Sequence, residues 1–298
     1  SMDQLDALRV YVAVVESQGF SAASRALGIP VPTVSRKVAN LEEKLGVQLL
    51  VRTTRKVSTT SSGMQYYEDA RRILEDISAA NRRAAGEYQH IKGLLTITAP
   101  ALFGRLHVLP IVNEFMRLHD QVEVRLFLTN HMLDMLEEHI DLAVTMGSRS
   151  RGSMEIVPVA EMRTIVCASP RYLSAAGRPA NPDDLLDHET ITYAQSCTQY
   201  PWPFKMTSGE TRELNLKSRL IVNSEAAVDS AAQHTGLTQA YYYQAKSYIE
   251  AGELEIVLED YEIEPTPVII AIPRGPRAPQ KVSAFVDFAV PELRMRLQ

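Results

Sequence analysis

The sequence predicts three parts in order: a mainly α N-terminal domain, one long helix, and a larger α/β C-terminal domain. In residues 3–46, apolar residues recur at helical spacing on both sides of a tight turn at Gly28-Ile29-Pro30. Residues 61–89 contain no proline and repeat apolar residues in steps of four and three. From residue 92 onward, short apolar runs typical of strands alternate with helical segments, which is the pattern of an α/β fold.

The first two helices are predicted from apolar spacing and capping residues. Four apolar residues at helical spacing predict a helix over residues 3–16: Leu5, Leu8, Val12 and Val15. The second helix has Ser21 as its predicted N-cap, continues through an alanine-rich run and ends at Gly28. Glycine suits that end because, without a side chain, it readily takes the left-handed conformation of a helix C-terminus.

The third predicted helix has one apolar and one polar face. The apolar stripe, which Gly46 follows as the helix end, consists of Val34, Val38, Leu41 and Leu45. The opposite face, which can meet phosphates or base edges, carries Pro32, Thr33, Arg36 and Asn40. A tight turn before the third of three helices indicates a helix-turn-helix. The same pattern also fits bundle helices with a solvated polar face, so the helices by themselves leave both interpretations open.

Residues 47–60, with the sequence VQLLVRTTRKVSTT, favour the helix-turn-helix interpretation. This segment holds Arg52, Arg55 and Lys56 and no acidic residue. We predict that it forms a two-stranded wing, whose cations would lie along DNA phosphates. A nucleic-acid-binding head is therefore the better interpretation of residues 1–60.

The net charge of −5 is distributed unevenly along the chain. Residues 1–60 hold eight Lys and Arg against five Asp and Glu, residues 61–92 hold five against five, and the remainder holds 18 against 26. Positive charge is thus concentrated in the predicted helix-turn-helix, where attraction to phosphate is local. The acidic remainder favours solubility, and the overall charge says little about the head.

Four stretches carry a resemblance to a known family: AASRALGIPVPTVSRKVANLEEKLGVQLLVRTTRKVSTTSSG, FGRLHVLPIVNEF, DLAVTMG and VCASPRYL. In their order and spacing, from about residue 3 to the end, the chain resembles the LysR-type transcriptional regulators. The resemblance implies a winged helix-turn-helix over residues 1–60, a linker helix for dimerisation over 61–91, and an effector-binding domain over 92–298. It also implies four partners, namely double-stranded operator DNA, a small-molecule effector, a second copy of the chain in dimers or tetramers, and RNA polymerase, with no cofactor.

The expected DNA contacts combine the recognition helix with its surroundings. They are Ser21, Pro32, Thr33, Ser35, Arg36, Asn40, Arg52, Arg55 and Lys56. Where the family commonly has Ser-Gln, this chain has Pro30 and Val31, which removes a capping side chain and an amide able to read adenine. Base reading is therefore expected to fall more heavily on Thr33, Ser35 and Arg36.

Residues 61–89 predict one long helix with an apolar seam. Thr60 is its predicted N-cap, and the seam consists of Tyr66, Ala70, Ile73, Ile77, Ala80 and Ala84. Such a helix could lie on its own domain, since the seam is rich in alanine and short. The resemblance instead implies that it pairs two subunits and spaces two DNA-reading heads.

The C-terminal domain is predicted to be α/β with largely parallel sheets. Its six predicted strands are LLTITA, VEVRLFL, DLAVTM, RTIVCAS, ETITYA and PVIIAI. The resemblance implies two lobes like those of a periplasmic binding protein: lobe one at residues 92–163 and 267–298, and lobe two at 164–266. A ligand would bind between the lobes, at strand ends and helix N-termini.

The turns after the strands supply the candidate effector-binding residues. They are Pro100, Ala101, Leu102, Phe103, Thr129, Thr145, Met146, Tyr193, Gln195, Trp202, Asn223 and Ser224. Helix N-termini expected at residues 101 and 224 favour an anion, and the apolar lining favours an aromatic or aliphatic body. The hypothesis is a small carboxylate effector, although each residue could also be a turn, cap or core residue. Two departures from the family weaken it: Ala101-Leu102 in place of a hydroxyl residue, and TGLTQAYYYQA in place of Gly-x-Gly-Ile and Leu-Pro.

Other classes of protein find little support in the sequence. There is no Gly-x-Ser-x-Gly, His-Glu-x-x-His or phosphate-binding glycine loop, and the seven histidines lack metal-ligand spacing, so we expect neither an enzyme nor a metal site. A small-solute binding protein without a gene-regulatory role is the alternative, but it would leave the basic head unexplained. Cys167 and Cys197 are expected to be packing residues, with redox sensing as the other possibility. Without an apolar run near 20 residues or a signal peptide, we expect a cytoplasmic protein.

Overall fold

The computed structural model describes residues 3–53, 56–88, 90–131, 135, 138–147, 154–194, 200–273 and 279–298. It divides into two compact units, with the boundary between residues 88 and 89. The expected fold class is confirmed: a winged helix-turn-helix and a long helix are followed by an α/β domain with two sheets. Of the described helices, none is both long enough and apolar enough to cross a membrane.

The first unit contains three short helices, a two-stranded wing and one long helix. Their bounds are α1 Gln4–Ser17, α2 Phe20–Leu27, α3 Val31–Leu45, β1 Leu50–Arg52, β2 Val57–Thr59 and α4 Ser61–Ala84. The wing strands are antiparallel, with Leu50 opposite Thr59 and Arg52 opposite Val57. Gly28 and Gly46 end α2 and α3 with φ of 68°, in the left-handed region expected from the sequence.

The face that α1 buries is not the one predicted. Of the stripe Leu5, Leu8, Val12 and Val15, only Leu8 is buried, whereas Ala7, Val10, Tyr11 and Val14 lie in the core. Helix α1 is apolar on more than one side, so helical spacing alone could not choose between the faces. Contacts of Tyr11 with α4 favour the observed face. Its hydroxyl donates to the Gly63 carbonyl at 2.6 Å, and its ring lies 5.7 Å from that of Tyr66.

Two further details of the head differ from the prediction. Helix α2 begins at Phe20 with Gly19 as its N-cap, so Ser21 is an exposed residue inside the first turn rather than a cap. Phe20 packs against the core of the head, which draws the start of the helix one residue earlier. Leu45 is 37% exposed because it is the last residue of α3 and extends past the core that buries Val34, Val38 and Leu41.

Helix α4 begins where the sequence predicted and ends earlier than expected. The Thr60 hydroxyl accepts from the Gly63 amide at 2.9 Å, as an N-cap should, and the helix ends at Ala84. Gly63 is required there, since a Cβ would lie 1.8 Å from the Leu49 carbonyl oxygen. Within the seam Ala70 is buried, but Ile73 is 41% exposed in the single chain.

The second unit contains two five-stranded sheets. The first has strand order β4-β3-β5-β14-β6, with bounds β3 Lys92–Ala99, β4 Gln121–Leu128, β5 Leu142–Met146, β6 Met154–Met162 and β14 Thr266–Pro273. The second has order β11-β8-β12-β7-β13, with bounds β7 Thr164–Ala168, β8 Thr190–Tyr193, β11 Leu220–Val222, β12 Leu237–Tyr241 and β13 Glu255–Val257. A separate hairpin consists of β9 Trp202–Lys205 and β10 Thr211–Leu214. The chain passes from one sheet to the other at Arg163 and returns after residue 262.

All six predicted strands are present, but the sheets are mixed rather than largely parallel. Strand β14 is antiparallel to both β5 and β6, and β7 is antiparallel to both β12 and β13. Strands β7 and β14 enter their sheets from the other lobe. Because no helical crossover within the same sheet precedes them, nothing constrains them to run parallel to their neighbours.

The helices of this unit pack around the two sheets. Their bounds are α5 Ala101–Phe103, a π-helical turn Gly104–Val108, α6 Leu109–Leu118, α7 Pro170–Ala176, 3₁₀ turns Pro182–Asp187 and Glu259–Tyr261, α8 Ala226–Ala232, α9 Tyr242–Glu250 and α10 Gln280–Arg296. In the first lobe Phe115 of α6 meets Phe285 of α10 edge to face at 5.2 Å. Cys167 is fully buried in the second sheet, where burial raises the pKa of its thiol to about 12, which fits a packing role; Cys197 lies outside the described residues.

Candidate functional site

The side chains on the outward face of α3 have no hydrogen-bond or ion-pair partner among the residues that the structure describes. Pro32, Arg36 and Asn40 are exposed, and Thr33 and Ser35 are half-buried beside them. The guanidinium of Arg36 forms no hydrogen bond or ion pair with any residue that the structure describes. The neighbouring cation differs, because the Lys37 ammonium pairs with Asp6 of α1 and so helps to hold the helices together. The third cation of α3, Lys44, donates to Gln4 Oε1 at 2.7 Å, so Arg36 is the cation of this helix without a partner among the described residues.

A carboxylate on the inner side of α3 fixes the wing. Glu42 accepts the Leu49 amide at 2.9 Å through Oε2, and its Oε1 lies 3.5 Å from Nη2 of Arg52. The guanidinium of Arg52 also lies over the Phe20 ring, 4.9 Å from its centroid. Phe20, Glu42 and Arg52, which we call the wing clamp, thus connect α2, α3 and the wing.

The wing clamp changes the expected role of Arg52. The sequence suggested a cation committed to phosphate, but two intramolecular partners hold this side chain, which is 45% exposed. Lys56 is exposed at the other end of the wing turn, which the Thr53 amide closes by donating to the Lys56 carbonyl at 3.2 Å. Arg55 lies outside the described residues. Neither Phe20 nor Glu42 was expected as a functional residue, because their significance comes from contacts between separate elements.

The two lobes of the second unit meet through aromatic residues. The ring of Phe103, in the first lobe, lies 5.3 Å from that of Tyr243 in α9 of the second, edge to face, and 5.1 Å from that of His107. Tyr243 also stacks on Tyr241 at 6.3 Å. We call Phe103, His107, Tyr241 and Tyr243 the junction cluster. Phe103 is fully buried, so it closes the junction rather than lining an open cavity.

The charges around the junction cluster differ between its two ends. At one end, burial and then the Glu225 carboxylate raise the pKa of the Tyr243 phenol, which stays neutral. At the other end, burial lowers the pKa of His107, and the cations of Arg296 and Lys246 lower it further. His107 Nδ1 is buried and has no hydrogen-bond partner among the described residues. The environment is therefore acidic beside Tyr243 and basic beside His107.

The two helix N-termini expected to bind an anion are occupied or displaced. The Ala101 amide donates to Asn130 Oδ1 at 3.0 Å. The second helix begins at Ala226 rather than at residue 224, and Ser224 Oγ accepts the Ala226 amide at 3.2 Å. Its N-cap residue is Glu225, whose carboxylate opposes an anion at this end. The sequence missed this because Asn223 and Ser224 look like better caps than a glutamate.

The other candidate effector residues are divided between the cleft and the core. Trp202 is only 4% exposed, and its indole donates to Thr192 Oγ1 at 3.2 Å inside the second lobe, so it is a core residue and not a wall of the cleft. Thr129 is a turn residue whose hydroxyl accepts the His131 amide at 3.1 Å. The remaining described candidates are partly or fully exposed at strand and helix ends: Pro100, Ala101, Leu102, Thr145, Met146, Tyr193, Asn223 and Ser224. Gln195 lies outside the described residues.

The tyrosines of the junction cluster are site residues that the sequence patterns do not predict. The segment TGLTQAYYYQA departs from the family's sequence, and it places Tyr241 at the end of β12 and Tyr243 at the start of α9. Three successive tyrosines immediately after a strand were the available signal. The sequence contains no such signal for His107, because a histidine within a helix usually lies on the solvent-facing side of that helix.

Comparisons with known proteins agree with this two-part arrangement. The family model described as "LysR substrate binding domain" matches residues 89–294, and the one described as "Bacterial regulatory helix-turn-helix protein, lysR family" matches residues 5–64. The chain belongs to the LysR family of transcriptional regulators. It therefore has a DNA-binding helix-turn-helix domain and an effector-binding domain, in a family of regulators rather than enzymes.

Similar LysR-type proteins match nearly the whole chain. The uncharacterized regulator YhjC of Escherichia coli K12 is 29% identical over 289 residues, which are 96% of this chain and 97% of that protein. A regulator of Xanthomonas campestris is 31% identical over 290 residues, 95% of this chain and 84% of the relative. Among solved structures, the LysR-type regulator CrgA of Neisseria meningitidis has a TM-score of 0.81 at 26% identity, covering 97% of this chain and 98% of its own.

The wing clamp of this LysR-type head predicts that removing the Glu42 carboxylate weakens DNA binding. The change in charge alone predicts stronger binding. Replacing Glu42 with Ala leaves the buried Leu49 amide unpaired and releases Arg52, so we expect a loss of about 1–3 kcal/mol in unfolding free energy. Operator affinity should also fall, although a negative charge has been removed from a DNA-binding surface. Thermal unfolding and fluorescence anisotropy on an operator duplex measure the two effects.

Glu43→Ala is the matched control for the clamp. Glu43 is an exposed neighbour on α3 with no ion pair among the described residues, and its loss removes the same charge. This variant should bind DNA at least as tightly as the wild type, because phosphate attraction increases. If both variants strengthen binding alike, the clamp does not position the wing.

Proposed function

We propose that this protein binds operator DNA as a dimer or dimer of dimers in the bacterial cytoplasm, and that a small carboxylate between the lobes changes its contacts with DNA. In this proposal residues 1–60 are the DNA-binding domain, 61–91 the linker helix and 92–298 the effector domain. Lobe one comprises residues 92–163 and 267–298, and lobe two comprises 164–266. The proposal also includes RNA polymerase as the partner through which transcription is changed.

Sequence-specific DNA binding is supported by the outward face of α3, whose side chains have no partner among the described residues. Val34, Val38 and Leu41 of its inner stripe are fully buried, which fixes the rotation of the helix. The outer side carries Thr33, Ser35, Arg36 and Asn40. A helix of this kind enters the major groove and presents its N-terminal residues to base edges. We assign base contacts to this face and phosphate contacts to Ser21, Arg55 and Lys56. Arg52, which Phe20 and Glu42 hold, positions the wing and leaves part of its guanidinium exposed toward the same phosphates.

Arg36 and Lys56 should contribute to DNA binding in different ways. Arg36→Ala should lower operator affinity by about 1–3 kcal/mol and reduce discrimination between operator and unrelated DNA, as loss of a base contact does. Lys56→Ala should weaken binding to all sequences alike and reduce the salt slope by about one. Anisotropy titrations at several salt concentrations separate the effects. Unchanged binding by both variants would contradict the proposed docking.

The exposed apolar face of α4 supports pairing of two chains. Ile73 is 41% exposed on a helix whose neighbouring turn buries Ala70, so this side chain has an apolar surface left uncovered within one chain. A second copy of the helix, packed along the exposed side that carries Ile73, would remove that surface from water. We propose that the linker helix is the main dimer contact.

Replacing Ile73 with Asp should dissociate the dimer. The substitution places an unpaired charge in the seam, and burying such a charge is costly. Light scattering should report a monomer for this variant, with the wild-type helix content preserved in circular dichroism. Ser78→Asp is the control, because Ser78 is exposed on another face of the same helix and its variant should keep the wild-type mass. A wild-type mass for Ile73→Asp would contradict the proposal.

The basic end of the junction cluster supports a carboxylate effector. Lys246 of α9 and Arg296 of α10 both lower the pKa of His107, so two cations from different helices lie around this end of the junction cluster, and Lys246 also pairs with Glu250 at 4.0 Å. The partly exposed ring of Tyr243, which packs on the buried Phe103, supplies apolar surface, and Ala101 and Leu102 extend it. We therefore assign the carboxylate to the His107 end and not to the helix N-termini that the sequence favoured. The ligand switches the protein only if its binding energy differs between two arrangements.

A thermal-shift comparison tests the class of effector. Benzoate and hexanoate should raise the unfolding temperature of the wild type by mass action, while benzamide and benzylamine should not. Lys246→Gln should reduce the shift, whereas Lys217→Gln, which changes an exposed lysine elsewhere, should leave it intact. Stabilisation by benzylamine alone would show that Glu225 and the tyrosines select a cation, and would contradict the carboxylate assignment.

A further inference from the structure

The first residue of the recognition helix is an exposed valine. Val31 begins α3 and is 39% exposed, although it is a large apolar residue. It is not needed for packing at this end of the helix. Ile29 and Val34, on either side of the N-cap Pro30, join the core cluster of the head and form the apolar contact that usually fixes a helix start.

Two prolines leave the first turn of α3 with little capacity to bind an anion through its backbone. Pro32 has no amide hydrogen, and the Thr33 amide donates to the Pro30 carbonyl at 3.0 Å. Of the first three positions of the helix, only Val31 keeps an unused amide among the described residues. Pro30 also supplies no capping side chain. This turn therefore offers its ligand mainly the apolar surfaces of Val31 and Pro32.

The major groove of DNA contains one apolar group that such a surface fits. The C5-methyl of thymine is exposed there, whereas the other base edges present hydrogen-bond donors and acceptors. The side chain of Val31 is β-branched and has few rotamers, so little conformational entropy is lost when its methyl groups meet a partner. Arg36 lies five residues further along α3, about 140° around the helix axis from Val31, and its exposed guanidinium can hold the helix against the DNA.

We propose that Val31 is a specificity-determining residue that contacts the C5-methyl of a thymine in each operator half-site, with the Pro32 ring beside it. The inference rests on the proposed docking of α3 in the major groove. Thymine is recognised there by apolar contact, and no hydrogen bond from position 31 is involved.

Replacement of thymine by deoxyuridine tests this contact, because it removes only the methyl group and keeps base pairing. The probe is an operator duplex selected by the wild-type protein from a random library, with each thymine replaced in turn. One thymine in each half-site should lower wild-type affinity by about threefold to fivefold when replaced, the value expected for one buried methyl group. Val31→Ala should bind the thymine duplex more weakly by a similar factor and should no longer distinguish thymine from deoxyuridine at that position.

Val47→Ala is the matched control. Val47 is 38% exposed and lies just after the opposite end of α3, so its variant should keep the wild-type response to deoxyuridine. Val31→Thr keeps one methyl group and should retain part of the response, which separates loss of the contact from damage to the helix. Equal wild-type binding at every replaced thymine, or a response to deoxyuridine that persists in Val31→Ala, would overturn the inference. Failure of the wild type to select any DNA would instead overturn the proposed function.

Discussion

The head depends on the burial of one apolar stripe of α3. Val34, Val38 and Leu41 are fully buried, and each contributes roughly 1.5–3 kcal/mol relative to an exposed position. Rotating the helix would expose this stripe, so the burial fixes which residues face outward. Val31 and Arg36 are therefore held on the surface by residues that never touch a ligand. The wing clamp extends the same constraint to β1 through Glu42.

The effector domain uses a different kind of contact between its lobes. Only Arg163 and the segment after residue 262 connect the two sheets covalently, and the Arg163 guanidinium forms a bidentate pair with Glu262 at 2.8 and 2.9 Å. The junction cluster then joins the lobes by packing aromatic rings. Such rings contact at several distances and angles, so a ligand placed beside them can favour one lobe arrangement over another. This gives the effector domain a physical means of responding to a small molecule.

Sequence patterns predicted the elements well where one physical requirement dominates. Gly28, Gly46 and Thr60 have the predicted capping roles because helix ends leave unpaired groups that few residue types can satisfy. Most of the six runs are strands buried on both faces, which need continuous apolar residues, whereas β4 alternates because it lies at the edge of its sheet. The prediction failed for the buried face of α1 and for Ser21 as an N-cap, because several residues met the local requirement equally well. The contact of Tyr11 with Gly63 selects the face of α1, and the packing of Phe20 on the core sets the start of α2.

The sequence by itself determined the family, the order of the domains and the polar face of α3, because these follow from periodicity and from motifs read along the chain. Tertiary structure decided which of the candidate site residues are available to a ligand and which are held by other side chains. Arg52 is held by Phe20 and Glu42, Trp202 belongs to the core, and Tyr243 reaches Phe103 across the lobes. These pairs are separated by between 10 and about 140 positions in the chain. Local patterns carry no information about such contacts, since the partner of each side chain is set by how whole elements pack.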